Sequence, residues 1–521
     1  MTDTRPESAG VPHFEHLFTE ALSQNPPPAP KLTAVPAEAA SPTSIPAPES
    51  AEDGYLPGIV PVGYEVIAEL RSQASGRISE AAAAETGMSD QDRRQLGRSI
   101  INEVVSQWAS KYAATGTSFT PAQEAQLKKA VFDELFQAGR LQPLLDDPNV
   151  ENILINGDKV RVDYADRPSR KWDPIAPTDK DLIALINQLS RMQGQGERAL
   201  TPATPNLNMR LADGSRVAAS AWVTPSPQIV IRRHRTRGQG LDDLVKWGTI
   251  DSTLAAFLRA AVKARMNIIV VGSQGVGKTS LLRAMAREIP RTERIGTLES
   301  EYELYLHEDP EGPEVVAYEG RESNGERGPD GRLQGELTLS DLFPQLLRMS
   351  LRRVLVGEVR SKEVVPMLHS MNEGEGGSMG TLHARSPQLS IERLATLCLE
   401  AGIGMTEALA YRLIAQAINL VVYVRLVDET ELVGPGGKTG RKHRFVSHVM
   451  EITGIGEGGR PSHQMVFAPR EQDGRREARA VPHGNLSQSR LEDLVRAGLD
   501  RSILHNRWGT WGAPLNTVMP L

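Results

Sequence analysis

The sequence predicts an α/β fold: a mostly parallel sheet built round a Gly-rich loop, preceded by a smaller α+β unit. Three observations predict it. From about residue 240 to 427, apolar strand candidates alternate with helical patterns, the order that a parallel sheet requires. One of those strands runs into a Gly-rich loop ending Gly277-Lys278-Thr279. Upstream, residues 63–240 read as helices followed by short, turn-separated strands.

The chain has 521 residues, several times the usual single domain, so two or more domains are expected. With 39% apolar and 24% charged residues it can build sizeable cores. A net charge of −6 argues against non-specific nucleic-acid binding. No stretch approaches the 18 or so apolar residues of a membrane span, and no basic start leads into an apolar run. One cysteine fits a reducing compartment. The expected location is cytoplasmic.

Residues 1–62 hold 12 of the 35 prolines and have little to bury, which predicts a disordered Pro/Ala-rich tail. Within it, residues 14–22 (FEHLFTEAL) form a candidate docking motif, against the plainer reading of a solvated tail. A helical region follows over 63–145: Ile100, Ile101, Val104, Val105 and Trp108 recur at helical spacing behind Ser89 as N-cap, and a second helix starts near Pro121 with Leu127, Val131, Leu135 and Phe136 inward. Residues 146–240 read as a small sheet. Val150 to Ile155 is a strand entering an Asn-Gly-Asp turn, Lys159 to Tyr164 returns, a helix covers Asp181 to Met192, and strand candidates lie around Asn208 to Trp222 and Gln228 to Arg233. Residues 241–430 carry the α/β alternation. Residues 431–521 read as an extension with paired strands near Phe445 to Ile455 and Gln464 to Phe467, then a short helix between Leu486 and Leu499.

The strongest signal is Gly272-Ser273-Gln274-Gly275-Val276-Gly277-Lys278-Thr279, followed by Ser280, between the apolar run Met266 to Val271 and a helix carrying Leu281, Leu282 and Met285. Glycines let successive N–H groups converge on a phosphate, and the helix N-terminus adds partial positive charge. Lys278 reaches the outer phosphates and Thr279 ligates Mg²⁺, so ATP and Mg²⁺ are expected. Gly437-Lys438-Thr439 repeats the ending, but Leu432 stands in the first glycine's place and no apolar strand leads in; it reads as a surface loop.

Such a fold needs a carboxylate on a neighbouring strand to hold Mg²⁺ or position water. Glu358 ends the apolar run from Arg353 and is the candidate, the plainer alternative being a surface pair with Arg360. The acidic set Glu299, Glu301 and Glu303 follows the strand Ile295 to Leu298; so many carboxylates together repel unless a cation or water sits among them. His383 ends a short strand after the Gly-rich Gly374 to Gly377, where an imidazole could sense the γ-phosphate. Cys398 reads as a core residue.

Together these motifs, with Gly377-Ser378-Met379-Gly380-Thr381-Leu382-His383-Ala384 and Arg210-Leu211-Ala212-Asp213-Gly214-Ser215-Arg216, resemble those of the type II/IV secretion-system ATPases, and within them the CpaF-like branch that drives Tad (Flp-type) pilus assembly. The resemblance spans roughly residues 63–427 and implies a RecA-like P-loop domain behind a PAS-like N-terminal domain. It implies Walker A at 272–279, Glu358 with Glu299 or Glu303 activating water, His383 reporting nucleotide state, and Thr279 with Glu358 at the metal. Arg210, Arg216, Arg232 and Arg233 match the family's N-terminal arginines, which serve the nucleotide or a neighbouring subunit. It further implies a hexameric ring that acts on an inner-membrane platform protein. The sequence departs from the family pattern at Ser300, at Leu351-Arg352, at Arg198-Ala199-Leu200-Thr201 and in an expanded loop over 320–335.

Three other functions compete. A phosphotransferase would need an acceptor pocket, and no motif nominates one. A nucleotide-gated regulatory subunit with little turnover draws on the departures at Ser300 and Leu351-Arg352. A nucleic-acid translocase is disfavoured by the acidic chain without an aromatic–basic run.

Overall fold

The computed structural model describes residues 63–519, apart from 85–87, 115–117, 193–198, 234–237, most of 322–334, and positions 403 and 438. The proline-rich tail, Arg198, much of the 320–335 loop and Lys438 therefore lie outside the described residues.

Three helices open the described chain: α1 Tyr64–Ala84, α2 Asp90–Ala113 and α3 Pro121–Phe136. Ser89 caps α2, and Thr120 caps α3 in a reciprocal box with Gln123, which satisfies N–H groups that the first turn leaves without partners. Their inward faces bury Leu70, Ile101, Val105, Leu127 and Val131 in one cluster. The short α4 Gln142–Asp146 leads into the first sheet.

That sheet comprises β1 Val150–Asn156, β2 Lys159–Tyr164, β3 Arg170–Trp172, β4 Asn206–Arg210, β5 Arg216–Ser220 and β6 Gln228–Arg232, in the order β3-β2-β1-β6-β5-β4. All its pairings are antiparallel. Inward residues alternate with outward ones, as in Ile229–Val230–Ile231, because one face packs on α5 Asp179–Met192 and the other stays open. The single strand candidate at Asn208 to Trp222 is two strands. Leu211 N–H donates to Ser215 O at 2.8 Å, Asp213 caps Ser215, and Gly214 takes φ 85°, so the run folds back as a hairpin.

The second sheet has nine strands: β7 Ile268–Gly272, β8 Arg294–Glu299, β9 Glu314–Glu319, β10 Arg353–Val359, β11 Met379–His383, β12 Leu420–Asp428, β13 Lys442–Ile455, β14 Pro461–Gln472 and β15 Arg475–Pro482. Their order is β15-β14-β13-β12-β7-β11-β10-β8-β9. From β12 to β9 all neighbours are parallel; β13, β14 and β15 join antiparallel. The strands after Asp428 thus continue the same sheet instead of forming one of their own. Around it lie α6 Leu241–Lys246, α7 Ser252–Lys263, α8 Lys278–Ala286, α9 Leu339–Leu346, α10 Val364–Glu373, α11 Pro387–Glu400, α12 Glu407–Ala417 and α13 Gln488–Arg496. Apolar clusters fill both faces, which is why β7 (Ile-Ile-Val-Val-Gly) is buried throughout and shows no alternation.

Charged side chains are buried here too. Arg353, at the start of β10, is sealed from solvent and donates from Nε and Nη2 to Glu293 at 2.6 and 2.8 Å, and from Nη1 to Val262 O at 2.6 Å. Three directed bonds offset its desolvation. Glu293→Ala strands a buried guanidinium, so urea unfolding should show a loss of about 3–5 kcal/mol.

Candidate functional site

Parallel strands end along one edge of a sheet, and that edge gathers the polar residues here. β7 ends at Gly272, which pairs with His383 at the end of β11. Glu358 lies at the end of β10 and Glu299 at the end of β8. The loop after β7 turns through Gly275 (φ 73°) and Gly277 (φ 98°), left-handed positions where any side chain would be strained, and α8 starts at Lys278. Gln274 to Ser280 all line the resulting cleft, with Thr279 on its wall. The cleft holds about 650 Å³ and lies between the two sheets.

Lys278 is only 7% exposed. Its Nζ donates to Ser273 O at 2.9 Å and meets His383 Nδ1 at 3.2 Å, while His383 Nε2 lies 2.6 Å from Glu358 Oε1. Arg360 pairs with the other Glu358 oxygen. Burial lowers the Lys278 pKa to about 8, against the pull of Glu358 and Glu303. Burial and the neighbouring Lys278 charge lower that of His383, which favours a neutral imidazole whose Nδ1 accepts from Lys278 while its other edge lies against Glu358.

Glu299 is 2% exposed. One of its oxygens accepts from Glu303 N–H and Leu304 N–H, both at 2.8 Å, while Oε1 has no hydrogen-bond partner. Gly357 makes the room, since a Cβ there would lie 2.9 Å from Glu299 Cγ. Burial raises the carboxyl to about 7, outweighing those two bonds. An unsatisfied acceptor at this depth marks a place for water or a ligand proton.

The first sheet forms the other wall. Arg232 and Arg233 face the cleft from the end of β6. Arg210 and Arg216 do not line it: Arg210 pairs with Glu319, and Arg216 with Glu301 and Glu303. Across the cleft the polarity reverses, as Glu151 of β1 meets Arg444 at 3.0 Å and Lys442 at 3.4 Å, both from β13. Arg444 Nε also donates to Gly275 O at 3.2 Å, inside the loop.

The structure therefore gathers Gln274–Ser280, Glu303, Glu358, His383, Arg232 and Arg233 round one cleft, with Gly272, Ser273 and Glu299 outside its lining. Sequence reasoning missed Arg360, Glu151, Lys442 and Arg444 as members. Arg360 directly follows β10 and was considered only as a surface partner of Glu358; the basic run Arg441-Lys442-His443-Arg444 sits far from the loop in sequence and gave no such signal. Gly437 and Thr439 lie in a loop closed by a Val433–Thr439 bridge, away from the cleft lining. Among the described residues no three His, Cys, Asp or Glu side chains gather to hold a metal. A Mg²⁺ here fits only the pattern of one hydroxyl, one carboxylate, phosphate oxygens and water, for which Thr279 and Glu358 are placed.

The family model described as "Type II/IV secretion system protein" matches residues 174–452, more than half of the chain. A Mycobacterium tuberculosis protein named for conjugal transfer is 32% identical over 300 residues, covering 56% of this chain and 81% of its own length. Type IV secretion system protein VirB11 of Brucella suis is 28% identical over 333 residues, covering 59% and 88%. Among solved structures, the Brucella suis VirB11 ATPase in complex with sulphate matches at 25% identity and a TM-score of 0.30, covering 60% of this chain and 91% of that one. The Legionella pneumophila ATPase DotB matches at 18% identity and a TM-score of 0.40, covering 61% and 80%.

Glu299 titrates near 7 against an ordinary 4.5, because burial favours the protonated form. The associated stability is complete below pH 4.5 and is lost as pH rises through 7. Glu299→Gln should remove this loss. Between pH 4.5 and 8 its unfolding free energy should gain on the wild type by about 3 kcal/mol in chemical denaturation.

Proposed function

The chain belongs to the type II/IV secretion system protein family, and on that premise we propose that it hydrolyses ATP as the motor of a secretion or pilus machine at the cytoplasmic membrane. The observation that carries the reading is the contact series Lys278–His383–Glu358 at the mouth of the phosphate loop. It puts a cation for phosphate, a neutral imidazole and a water-orienting carboxylate in hydrogen-bond reach of one another.

In this reading the loop N–H groups and Lys278 hold the β- and γ-phosphates. A water oriented by Glu358 attacks the γ-phosphorus, its proton passes to a carboxylate, and the bond to the ADP oxygen breaks. Glu299, poised near neutrality, serves as the reserve proton acceptor behind Glu303. Mg²⁺ at Thr279 and Glu358 would neutralise charge on the phosphates. His383 loses its Lys278 contact when phosphate claims the ammonium, and so reports occupancy to Glu358. Arg232 and Arg233 offer guanidinium charge from the opposite wall, and Arg210 and Arg216 join them once Glu319, Glu301 and Glu303 release them.

The finer reading is a hexameric ring of the CpaF-like Tad branch, located in the cytoplasm and pressing on an inner-membrane platform protein. No helix among the described residues is long and apolar enough to cross a membrane. A conjugation-type type IV secretion ATPase is the second reading, favoured by the mycobacterial relative named for conjugal transfer.

Phosphate release with Mg²⁺-ATP tests the motor. Glu358→Gln should cut turnover about a hundredfold or more while keeping nucleotide affinity, and Lys278→Ala should lose both. Light scattering with a non-hydrolysable analogue should give a particle near six subunits. Tight binding without turnover, from a monomer, would sink the motor in favour of a nucleotide-gated subunit.

A further inference from the structure

The contact series that would act on a terminal phosphate occupies one side of the loop. In the sheet order, β11 and β10, which carry His383 and Glu358, lie on one flank of β7, and β12 and β13 lie on the other. A nucleotide whose γ-phosphate meets Glu358 must therefore extend its nucleoside toward β12 and β13. On that side the cleft is lined by Leu426 of β12 and by Leu244 and Trp247, beside the charged Asp428, Lys442 and Arg444.

Trp247 is the only Trp, Tyr or Phe on the cleft wall among the described residues, and it is 54% exposed. Leaving that much indole in water is costly unless something covers it. Its backbone is held from both sides. Trp247 N–H donates to Asp243 O at 3.0 Å, and Thr249 O accepts from Val446 N–H at 2.9 Å, two residues beyond Arg444 on β13. Arg444, bonded to Gly275 O, stands at the same end of the cleft and ties it to the phosphate loop.

We propose that Trp247 is the stacking platform for the nucleobase, with Leu244 and Leu426 lining the same pocket. The inference rests on the nucleotide reading above and adds where the base sits. Stacking accepts any π-face, so Trp247 contributes affinity without base selectivity, and ATP and GTP share the platform.

Calorimetry on the full chain separates base from phosphate contacts. Wild type, Trp247→Ala and Trp247→Phe are each titrated with ATP and with inorganic tripolyphosphate, which has no base. Trp247→Ala should weaken ATP about tenfold and tripolyphosphate by less than about twofold. Trp247→Phe should recover most of the loss. ATP should quench indole fluorescence in wild type and lose that quench in Trp247→Phe, a readout that survives if the alanine variant misfolds. Unchanged ATP affinity in Trp247→Ala, or equal losses for ATP and tripolyphosphate, overturns the platform. A wild-type chain that binds tripolyphosphate but not ATP also overturns it, whereas one that binds neither overturns the nucleotide reading itself.

Discussion

The ammonium of Lys278, buried at the end of a fully buried strand, is the group round which the cleft is arranged. Its named hydrogen bonds go to a carbonyl and an imidazole, both neutral, and its carboxylate neighbours act only through space. A cation so placed is under-compensated, and a polyphosphate is the ligand that relieves it. The arrangement also explains His383. Set between Lys278 and Glu358, the imidazole must be neutral at Nδ1 to accept from the ammonium, and burial beside that charge keeps it so. Filling the loop therefore changes the partners of all three side chains at once.

The same charge logic joins the two sheets. On one flank the first sheet presents arginines to carboxylates of the second, Arg210 to Glu319 and Arg216 to Glu301 and Glu303. On the other it presents a carboxylate to cations, Glu151 to Lys442 and Arg444. These pairs are half-buried and directed, so each is worth more than an exposed ion pair yet can be exchanged for phosphate oxygens. Apolar packing fixes the interior of each sheet, and exchangeable ion pairs hold the boundary between them. In the proposed motor, a boundary of that kind is the one that would open and close as a rigid-body step.

Much of this was legible in the sequence, for physical reasons that differ by element. The phosphate loop was plain because Gly275 and Gly277 have backbone angles that only glycine takes without strain, and because β7 is so apolar. Glu358 and His383 were legible as polar residues closing apolar runs, since parallel strands end along one edge. The hairpin inside Asn208 to Trp222 was missed because its turn is stabilised by Asp213 and Ser215, a local side-chain bond that hydrophobic periodicity does not register. The antiparallel wing was read as an extension because its pairing with β12 is a long-range contact with no local signature. That is why Arg444, Lys442 and the facing Glu151 were not nominated. Arg210 and Arg216 were singled out by resemblance, but whether they meet carboxylates or phosphate depends on tertiary geometry.

Lys278 is charged near neutral pH but loses its proton in the empty cleft as pH rises through about 8, whereas bound phosphate holds the charge. The most direct test is the affinity for ATP as a function of pH, by calorimetry on wild type and Lys278→Arg. With Lys278 near pKa 8 in the empty cleft, binding must recharge it above that pH. Wild-type Kd should rise about thirtyfold from pH 7 to 9.5, while Lys278→Arg, whose guanidinium stays charged, should change little over the same range. A wild-type Kd that stays flat across that range would contradict the account.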